Sequence, residues 1–146
     1  MLCAPEIVPK AMFNLALLHQ TRTNQYLSMN KVQQAKSSIQ QATKLLNAVK
    51  PLLQTKTKDN EMAQYAQMYK PLRLQVYKLS GQIYASLRDF EMCEKEFRMA
   101  VKDFPKEGAA WDMLARILDL VGKGDEAREA KEKADLLRNV GSMFGS

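Results

Sequence analysis

The stretch YKLSGQIYASLRDFEMCEKEFRMAVKDFPKEGAAWDMLARILDLVGKGDEAREAK, residues 77–131, decides the fold because it repeats itself. Residues of matching size return after 34 positions: Tyr77 as Trp111, Gly81 as Ala115, Cys93 as Ala127 and Ala100 as Ala134. A period of that length is typical of paired helices that stack as repeats. Small residues let helices approach closely, and large ones fill the grooves between them. The sequence therefore predicts consecutive helical hairpins.

The first copy of this pattern reads Tyr77-x2-Ser80-Gly81-x2-Tyr84, then Cys93-x3-Phe97-x2-Ala100, then Pro105. It resembles the tetratricopeptide repeat (TPR), most clearly over residues 74–138. The resemblance implies an all-α fold, an α-helical solenoid of antiparallel helix pairs with about three repeats. In the second copy, Leu118 and Lys131 replace the expected Tyr and Phe. Such losses are expected of a terminal repeat, whose outer face meets water.

A weaker copy of the pattern precedes the clear ones. Ala16 and Ala35 lie 19 positions apart, whereas Gly81 and Cys93 lie 12 apart, and the surplus of seven is close to two helical turns. We therefore predict an elongated first helix pair over 9–57, which starts near Pro9 and bends near Leu27 to Asn30. A kinked helix with the second repeat over 61–105, a third repeat over 108–138 and a tail over 139–146 complete one domain, 1–146.

The second half of the elongated pair carries a regular apolar stripe. Its members alternate by three and four positions: Val32, Ala35, Ile39, Ala42, Leu46, Val49 and Leu53. This spacing predicts one buried helix face. A coiled-coil seam is the alternative, disfavoured by Pro51. We also expect Pro71 to kink or split its helix, Asp125 to cap the last helix, and that helix to end at about Arg138.

Charge is distributed unevenly along a chain of 46% hydrophobic and 26% charged residues, a composition typical of soluble globular proteins. The formal net charge is +6, yet residues 1–58 hold 8 basic residues against 1 acidic, and the remainder 14 against 15. The acid-free segment 10–58 favours an acidic partner, whether peptide, nucleic acid or anionic membrane surface. A solvated helix face is the alternative interpretation.

Residues with catalytic or metal-binding chemistry are scarce. His19 is the only histidine, and Cys3 and Cys93 are too few for a disulfide framework or a metal site. There is no Gly-x-Ser-x-Gly and no phosphate loop. We expect no enzyme activity, no cofactor and no metal. The opening MLCAPEIVPK lacks a secretory signal pattern, so we expect a cytoplasmic protein, with nucleus or mitochondrion as alternatives.

Two surfaces are candidates for binding. In stacked helix pairs the first helices line a concave groove, and their solvent-facing side chains meet a ligand. We predict that this partner-binding groove consists of Lys10, Asn14, Gln20, Gln75, Lys78, Gln82, Asp112, Arg116 and Asp119. A C-terminal apolar edge is predicted from Leu136, Leu137, Val140, Met143 and Phe144, which either the tail or another protein would cover.

Binding, then, is the function that the sequence indicates. We predict a non-catalytic protein–protein interaction scaffold, an adaptor or subunit of a larger intracellular complex, whose partner is a protein or peptide. One alternative is a co-chaperone that recognises an acidic C-terminal tail: the resemblance implies a clamp of Lys and Asn, which Lys78 and Gln82 match in part, while Ala109 and Met113 depart from it. The other is RNA or anionic-membrane binding through 10–58, which a steep salt dependence would reveal.

Overall fold

The structure, a computed structural model, describes residues 7–53 and 60–143. Six helices occupy these ranges: α1 (Ile7–Ser28), α2 (Val32–Leu53), α3 (Asn60–Ser86), α4 (Phe90–Asp103), α5 (Gly108–Leu120) and α6 (Gly124–Met143). In these two ranges no residue forms a strand. Helix α1 packs against α2, α4 against α5, and α5 against α6. The predicted all-α fold of antiparallel helix pairs is confirmed.

Contacts divide the chain into two compact units. Unit 1 is Met1–Leu79 and unit 2 is Ser80–Ser146, so that α3 begins in the first and ends in the second. A compact unit is not by itself an independently folding domain. The single domain over 1–146 and the repeat boundaries drawn from the sequence therefore stay predictions.

Unit 1 is built on the long hairpin of α1 and α2. The turn between them is Met29–Lys31, where Asn30 adopts a φ of 57° and the Lys31 N–H donates to the Tyr26 carbonyl at 2.8 Å. Asparagine tolerates this left-handed conformation better than most residues. The predicted stripe is buried at its centre, as Ala35, Ile39, Ala42, Leu46 and Val49. The sequence placed this bend correctly, because the surplus residues lengthen both helices.

Prolines lie inside two helices without dividing them. Pro71 belongs to α3, which continues to Ser86, so the predicted split does not occur. Pro51 is the third-last residue of α2, where its missing N–H costs one hydrogen bond near a terminus. Tyr69, Leu72 and Val76 of α3 are buried around Pro71, and this apolar packing offsets the lost bond.

Unit 2 has short connections with defined caps. Arg88, at a φ of 59°, turns the chain, and the Asp89 carboxylate accepts from the Met92 N–H at 3.2 Å as the N-cap of α4. Such a cap contributes about 1 kcal/mol. Gly122, at a φ of 86°, makes the turn before α6, a conformation that favours glycine. Because α6 begins at Gly124, Asp125 lies in its first turn and is not its cap.

The small positions of the 34-residue pattern are buried in unit 2. Cys93, Ala100, Ala115, Ala127 and Ala134 are each at most 8% exposed. This burial agrees with the helix packing that the pattern predicts. Trp111 is only half-buried, and its indole N–H donates to the Pro105 carbonyl at 2.8 Å. The repeat's aromatic position therefore also fastens the α4–α5 connection.

Gly81 has a different neighbour from the one predicted. The sequence placed another helix backbone there, but the nearest atoms belong to the Phe97 side chain. A Cβ on Gly81 would lie 2.1 Å from Phe97 Cζ, a distance that no ordinary contact permits. Phe97 is 8% exposed and held in the core. The missing side chain of Gly81 thus makes room for the ring of Phe97. The sequence spacing alone could not distinguish this contact from a close approach of two helix backbones.

Candidate functional site

Three of the predicted groove residues lie together in unit 2. Asp112, Arg116 and Asp119 follow one face of α5 and line an open groove of about 680 Å³. Arg128, Lys131 and Arg138 of α6 line its other side. These six residues define the polar groove. The sequence analysis named the α5 residues and not the α6 residues, because only first helices were expected to contribute; that the α5 residues bind a partner stays a prediction.

Two cations of unit 2 outside the polar groove, Arg98 and Lys123, form an ion-pair network. Arg98 contacts Glu94 at 2.8 Å and Glu126 at 2.6 Å, and Lys123 contacts Glu94 at 3.0 Å. The hydrogen bond from Arg98 is the main cause that lowers the pKa of the Glu94 carboxyl below its ordinary value, and Lys123 adds to it. This network joins α4 to the start of α6 and leaves little free charge on that face.

Among the described residues, one of the four cations that line the polar groove is paired, and three are not. Arg138 pairs with Asp112, and also with Asp135 at 3.3 Å. Arg116, Arg128 and Lys131 are all exposed, and none has an ion-pair partner in the described part of the chain. Against these three stands Asp119, so the unpaired charge that lines the groove is net positive. Exposed donors of this kind can bind carboxylates without first breaking internal pairs.

Other predicted groove residues lie on unit 1, around a second groove. Phe13, Leu17 and Gln20 of α1 face Met68, Leu72 and Gln75 of α3 across a volume of about 340 Å³. These six residues, with Pro71, define the apolar groove. Lys10, Asn14 and Lys78 are exposed beside it on the same helices. Gln82 is exposed on α3 within unit 2. Five of the nine predicted positions thus line one of these two grooves, and four line neither: Lys10, Asn14, Lys78 and Gln82.

The floor of the apolar groove is rigid on its α1 side. Phe13 is fully buried, and its ring packs against Tyr65 with centroids 5.2 Å apart and a tilt of 53°. Such tilted aromatic pairs are favourable beyond the area they bury. Met68 opposite is 49% exposed. A half-exposed apolar side chain beside a buried ring can contact an apolar group of a ligand.

The predicted C-terminal apolar edge is present in part. Leu136 and Val140 are exposed on α6 at 62% and 42%, whereas Leu137 is half-buried against the start of α5, near Gly108. Met143 is the last residue of α6, and Phe144 lies outside the described residues. Helix α6 runs five residues beyond the predicted end at Arg138; 139–143 contain no proline, and Gly141 costs the helix about 1 kcal/mol without ending it.

Sequence reasoning missed a buried charge in unit 1. Arg73 of α3 is 1% exposed; its guanidinium lies 4.4 Å from the centre of the Tyr77 ring and donates to Asn47 Oδ1 at 2.8 Å and to the Tyr77 hydroxyl at 3.1 Å. Its Nε has no partner among the described atoms. No Asp or Glu occurs at 62–88 or 7–58. A hydrogen-bonded amide and an aromatic face take the place of a counter-ion.

His19 and Cys93, the side chains weighed for chemistry in the sequence analysis, lie on different units. His19 is half-buried and lines a polar cavity of about 260 Å³ with Arg22 and Ser38. Cys93 is buried, and desolvation, followed by the charge of Glu96, raises the pKa of its thiol to about 11. In the described ranges no three His, Cys, Asp or Glu side chains come together to hold a metal ion.

Two further findings bear on what the chain can bind. Across 7–53 and 60–143, none of the helices combines the length and apolar character needed to cross a bilayer.

Unit 1 holds 11 Lys and Arg against 3 Asp and Glu, a net charge of +8, and unit 2 holds 11 against 13, a net charge of −2. The basic character found in 1–58 therefore belongs to unit 1, which also carries the apolar groove.

No protein-family model matches the chain, and no curated protein sequence matches it. Among solved structures, MamA MSR-1 C2 is 17% identical over 80% of this chain and 72% of its own, with a TM-score of 0.42. MamA 41-end from Desulfovibrio magneticus RS-1 is 16% identical over 84% and 75%, with a TM-score of 0.37. MamA AMB-1 P212121 is 16% identical over 85% and 73%, with a TM-score of 0.40. These chains are similar to this one over most of its length, and none assigns it a function.

Proposed function

We propose that this chain is a non-catalytic protein–protein interaction scaffold, an adaptor or subunit of a larger intracellular complex. The observation that carries the proposal is the polar groove of unit 2. Its exposed cations Arg116, Arg128 and Lys131 have no ion-pair partner within the described residues, while Arg98 and Lys123 on the same unit do. Exposed, unpaired cations along an open groove favour a polypeptide with carboxylates over a small enclosed ligand.

The fold supports this assignment. Helix hairpins present rigid rows of side chains at fixed spacing, so that a ligand meets a preorganised surface and less ordering entropy is lost on binding. Arg116 and Asp119 follow each other at i and i+3 on α5, and Arg128 and Lys131 do so on α6. Residues three apart lie on the same side of a helix. The two rows therefore form opposite sides of one groove.

A co-chaperone that binds an acidic C-terminal tail is the alternative within the same class. Exposed Lys78 and Gln82 favour it in part, since both remain accessible on their own units. It requires that a free terminal carboxylate be essential to the ligand. Amidation of the peptide's C-terminus would abolish binding to a co-chaperone and leave binding to a general scaffold within about twofold.

Site-specific photo-crosslinking in native cells tests the proposal. A crosslinking amino acid replaces Lys131, which lines the polar groove, and in a control chain it replaces Glu129, which is exposed on the same helix and does not line the groove. We expect a discrete protein adduct at 131 and none at 129. Equal labelling at both positions, or none at either, would contradict the assignment of this groove.

The captured protein then serves as a purified ligand. Arg116→Glu should weaken its binding by at least tenfold, because a repelling charge replaces an attracting one in the groove. Lys102→Glu makes the same charge change at an exposed site on α4, away from the groove, and should change affinity by less than twofold. Equal losses for both variants would show that net charge, not the groove, controls binding.

A further inference from the structure

The apolar groove of unit 1 combines two properties that define its occupant. Its floor and walls are apolar: Phe13, Leu17, Met68, Pro71 and Leu72 line it. None of the described side chains of unit 1 is acidic, so those that surround the groove are basic or uncharged. A ligand that leaves water for this groove must offer apolar side chains, and it gains further if it carries carboxylates.

Positive charge stands at both ends of the apolar groove. Lys10 precedes Phe13 by three residues on α1, and Lys78 follows Gln75 by three residues on α3, so each extends its lining row by one helical turn. Both lysines are exposed, and neither forms an ion pair with any described residue. Gln20 and Gln75 add uncharged donors and acceptors at the rim.

The dimensions of the apolar groove favour a helix. The ends of the ranges Lys10 to Gln20 and Met68 to Lys78 are each ten positions apart, about 15 Å or three helical turns. The groove lies between two helices, and the described parts of unit 1 offer no strand edge to which an extended peptide could add. A helix of three to four turns presents apolar anchors at i, i+4 and i+7, which match a groove of this length.

We propose that the apolar groove binds an acidic amphipathic helix of a partner protein. Its leucine-like anchors contact Leu17, Met68 and Pro71, which line the groove above the buried Phe13, and its flanking carboxylates lie near Lys10 and Lys78. This site is distinct from the polar groove of unit 2 and does not depend on it. A chain with both sites would join two partner segments, which is what an adaptor requires.

Three fluorescein-labelled peptides of 14 residues test the proposal by anisotropy against the full chain. The first is helix-forming, with Leu at i, i+4 and i+7 and Glu at most other positions. The second has the same composition in an order that breaks the apolar period, and the third replaces Glu by Lys. We expect saturable binding of the first peptide, and affinity at least tenfold lower for the other two.

Two matched variants locate the binding. Met68→Glu places a charge in the apolar groove, and Leu18→Glu makes the same change at a similarly exposed leucine of α1 that does not line it. We expect Met68→Glu to weaken the first peptide at least tenfold and Leu18→Glu less than twofold. Circular dichroism melts within 2–3 °C of the parent chain would confirm that both variants fold, since both positions are about half exposed.

A double variant tests the charges. Lys10→Glu with Lys78→Glu should weaken binding at least fivefold, and the remaining affinity should depend less on salt. Lys31→Glu with Lys44→Glu, two exposed lysines of unit 1 that do not line the groove, is the control with the same net charge.

Defined results would overturn the proposal. Equal binding of the period-broken peptide, or equal losses for Met68→Glu and Leu18→Glu, would show general attraction to a basic surface. Tight binding of single-stranded RNA or of anionic vesicles, insensitive to Met68→Glu, would assign unit 1 to a polyanion instead. Because the crosslink at position 131 tests the other unit, its result is independent: a scaffold remains if only the apolar groove fails.

Discussion

Gly81→Ala is the most direct test of how unit 2 packs. The added Cβ would lie 2.1, 2.5 and 2.9 Å from three atoms of the Phe97 ring. An ordinary contact is about 3.4 Å or more, so the ring tip must retreat by about 1.3 Å. Phe97 is 8% exposed and packed on its other sides, so it cannot simply rotate into solvent. Overpacking of this kind costs about 1–3 kcal/mol.

Helix propensity opposes the clash, so the sign of the change in unfolding free energy is informative. Alanine is favoured over glycine inside a helix by about 1 kcal/mol. If Gly81 merely occupied open space, Gly81→Ala would therefore stabilise the chain. Because the clash with Phe97 is severe, we expect net destabilisation by about 1–2 kcal/mol. Gly124→Ala is the matched control, since a Cβ there meets nothing within 4 Å.

The assay follows unfolding around Trp111. Trp111 is the only tryptophan and lies in unit 2, so its fluorescence during urea unfolding reports the free energy of unfolding of the cooperative segment that contains it. Phe97→Leu removes the ring tip and should relieve the clash. In the double variant, Gly81→Ala with Phe97→Leu, the loss of unfolding free energy should be at least about 1 kcal/mol smaller than the sum of the losses in the two single variants. A Gly81→Ala chain as stable as the parent, or fully additive losses, would refute the close contact between Gly81 and the Phe97 ring.

Three further predictions concern single side chains. Arg73→Met should leave stability within about 1 kcal/mol of the parent, since an apolar chain of similar length replaces a buried charge. Asn47→Ala should cost about 1–3 kcal/mol, because it removes the shortest of the hydrogen bonds that the buried charge donates. Chemical denaturation compares the two variants. The folded-state pKa of Glu94 lies below the unfolded value of about 4.5, so its ion pairs stabilise unit 2 above that pH and are lost as pH falls through the folded pKa. In Trp111-detected melts, the decrease in stability from pH 6 to pH 3 should therefore be smaller for Glu94→Gln than for the parent chain. The difference should be a few tenths of a kcal/mol, because the partner cations are exposed. Cys93, with a thiol pKa of about 11, should resist alkylation at pH 8 in the native state and react once urea unfolds the chain, as mass spectrometry would show.

The sequence was informative wherever periodicity alone decides the structure. The stripe from Ala35 to Val49 is buried, and the turn at Met29–Lys31 lies where the surplus of helical residues placed it. Periodicity specifies which face of a helix is buried, and turn residues specify where it ends. For these reasons the all-α class and the hairpins could be predicted without coordinates.

The remaining features depend on which element meets which face. The ring of Phe97 at Gly81, the burial of Arg73 and the α6 side of the polar groove all arise from helix packing across the chain. A basic residue in a periodic helix reads as exposed unless a specific acceptor, here Asn47, is known to lie opposite. The α5 row of the polar groove was predicted because local spacing determines it.

The charge of unit 1 gives ionic strength two opposite effects. Its lysines and arginines repel one another across a net charge of +8, and this self-repulsion destabilises the folded unit. Added salt screens the repulsion and raises the stability of the free unit, while the same screening weakens its attraction for an acidic helix. A rise in ionic strength would thus lower the occupancy of the apolar groove and raise the stability of the unit with the groove empty. An acidic partner would take the place of salt as the stabilising counter-charge.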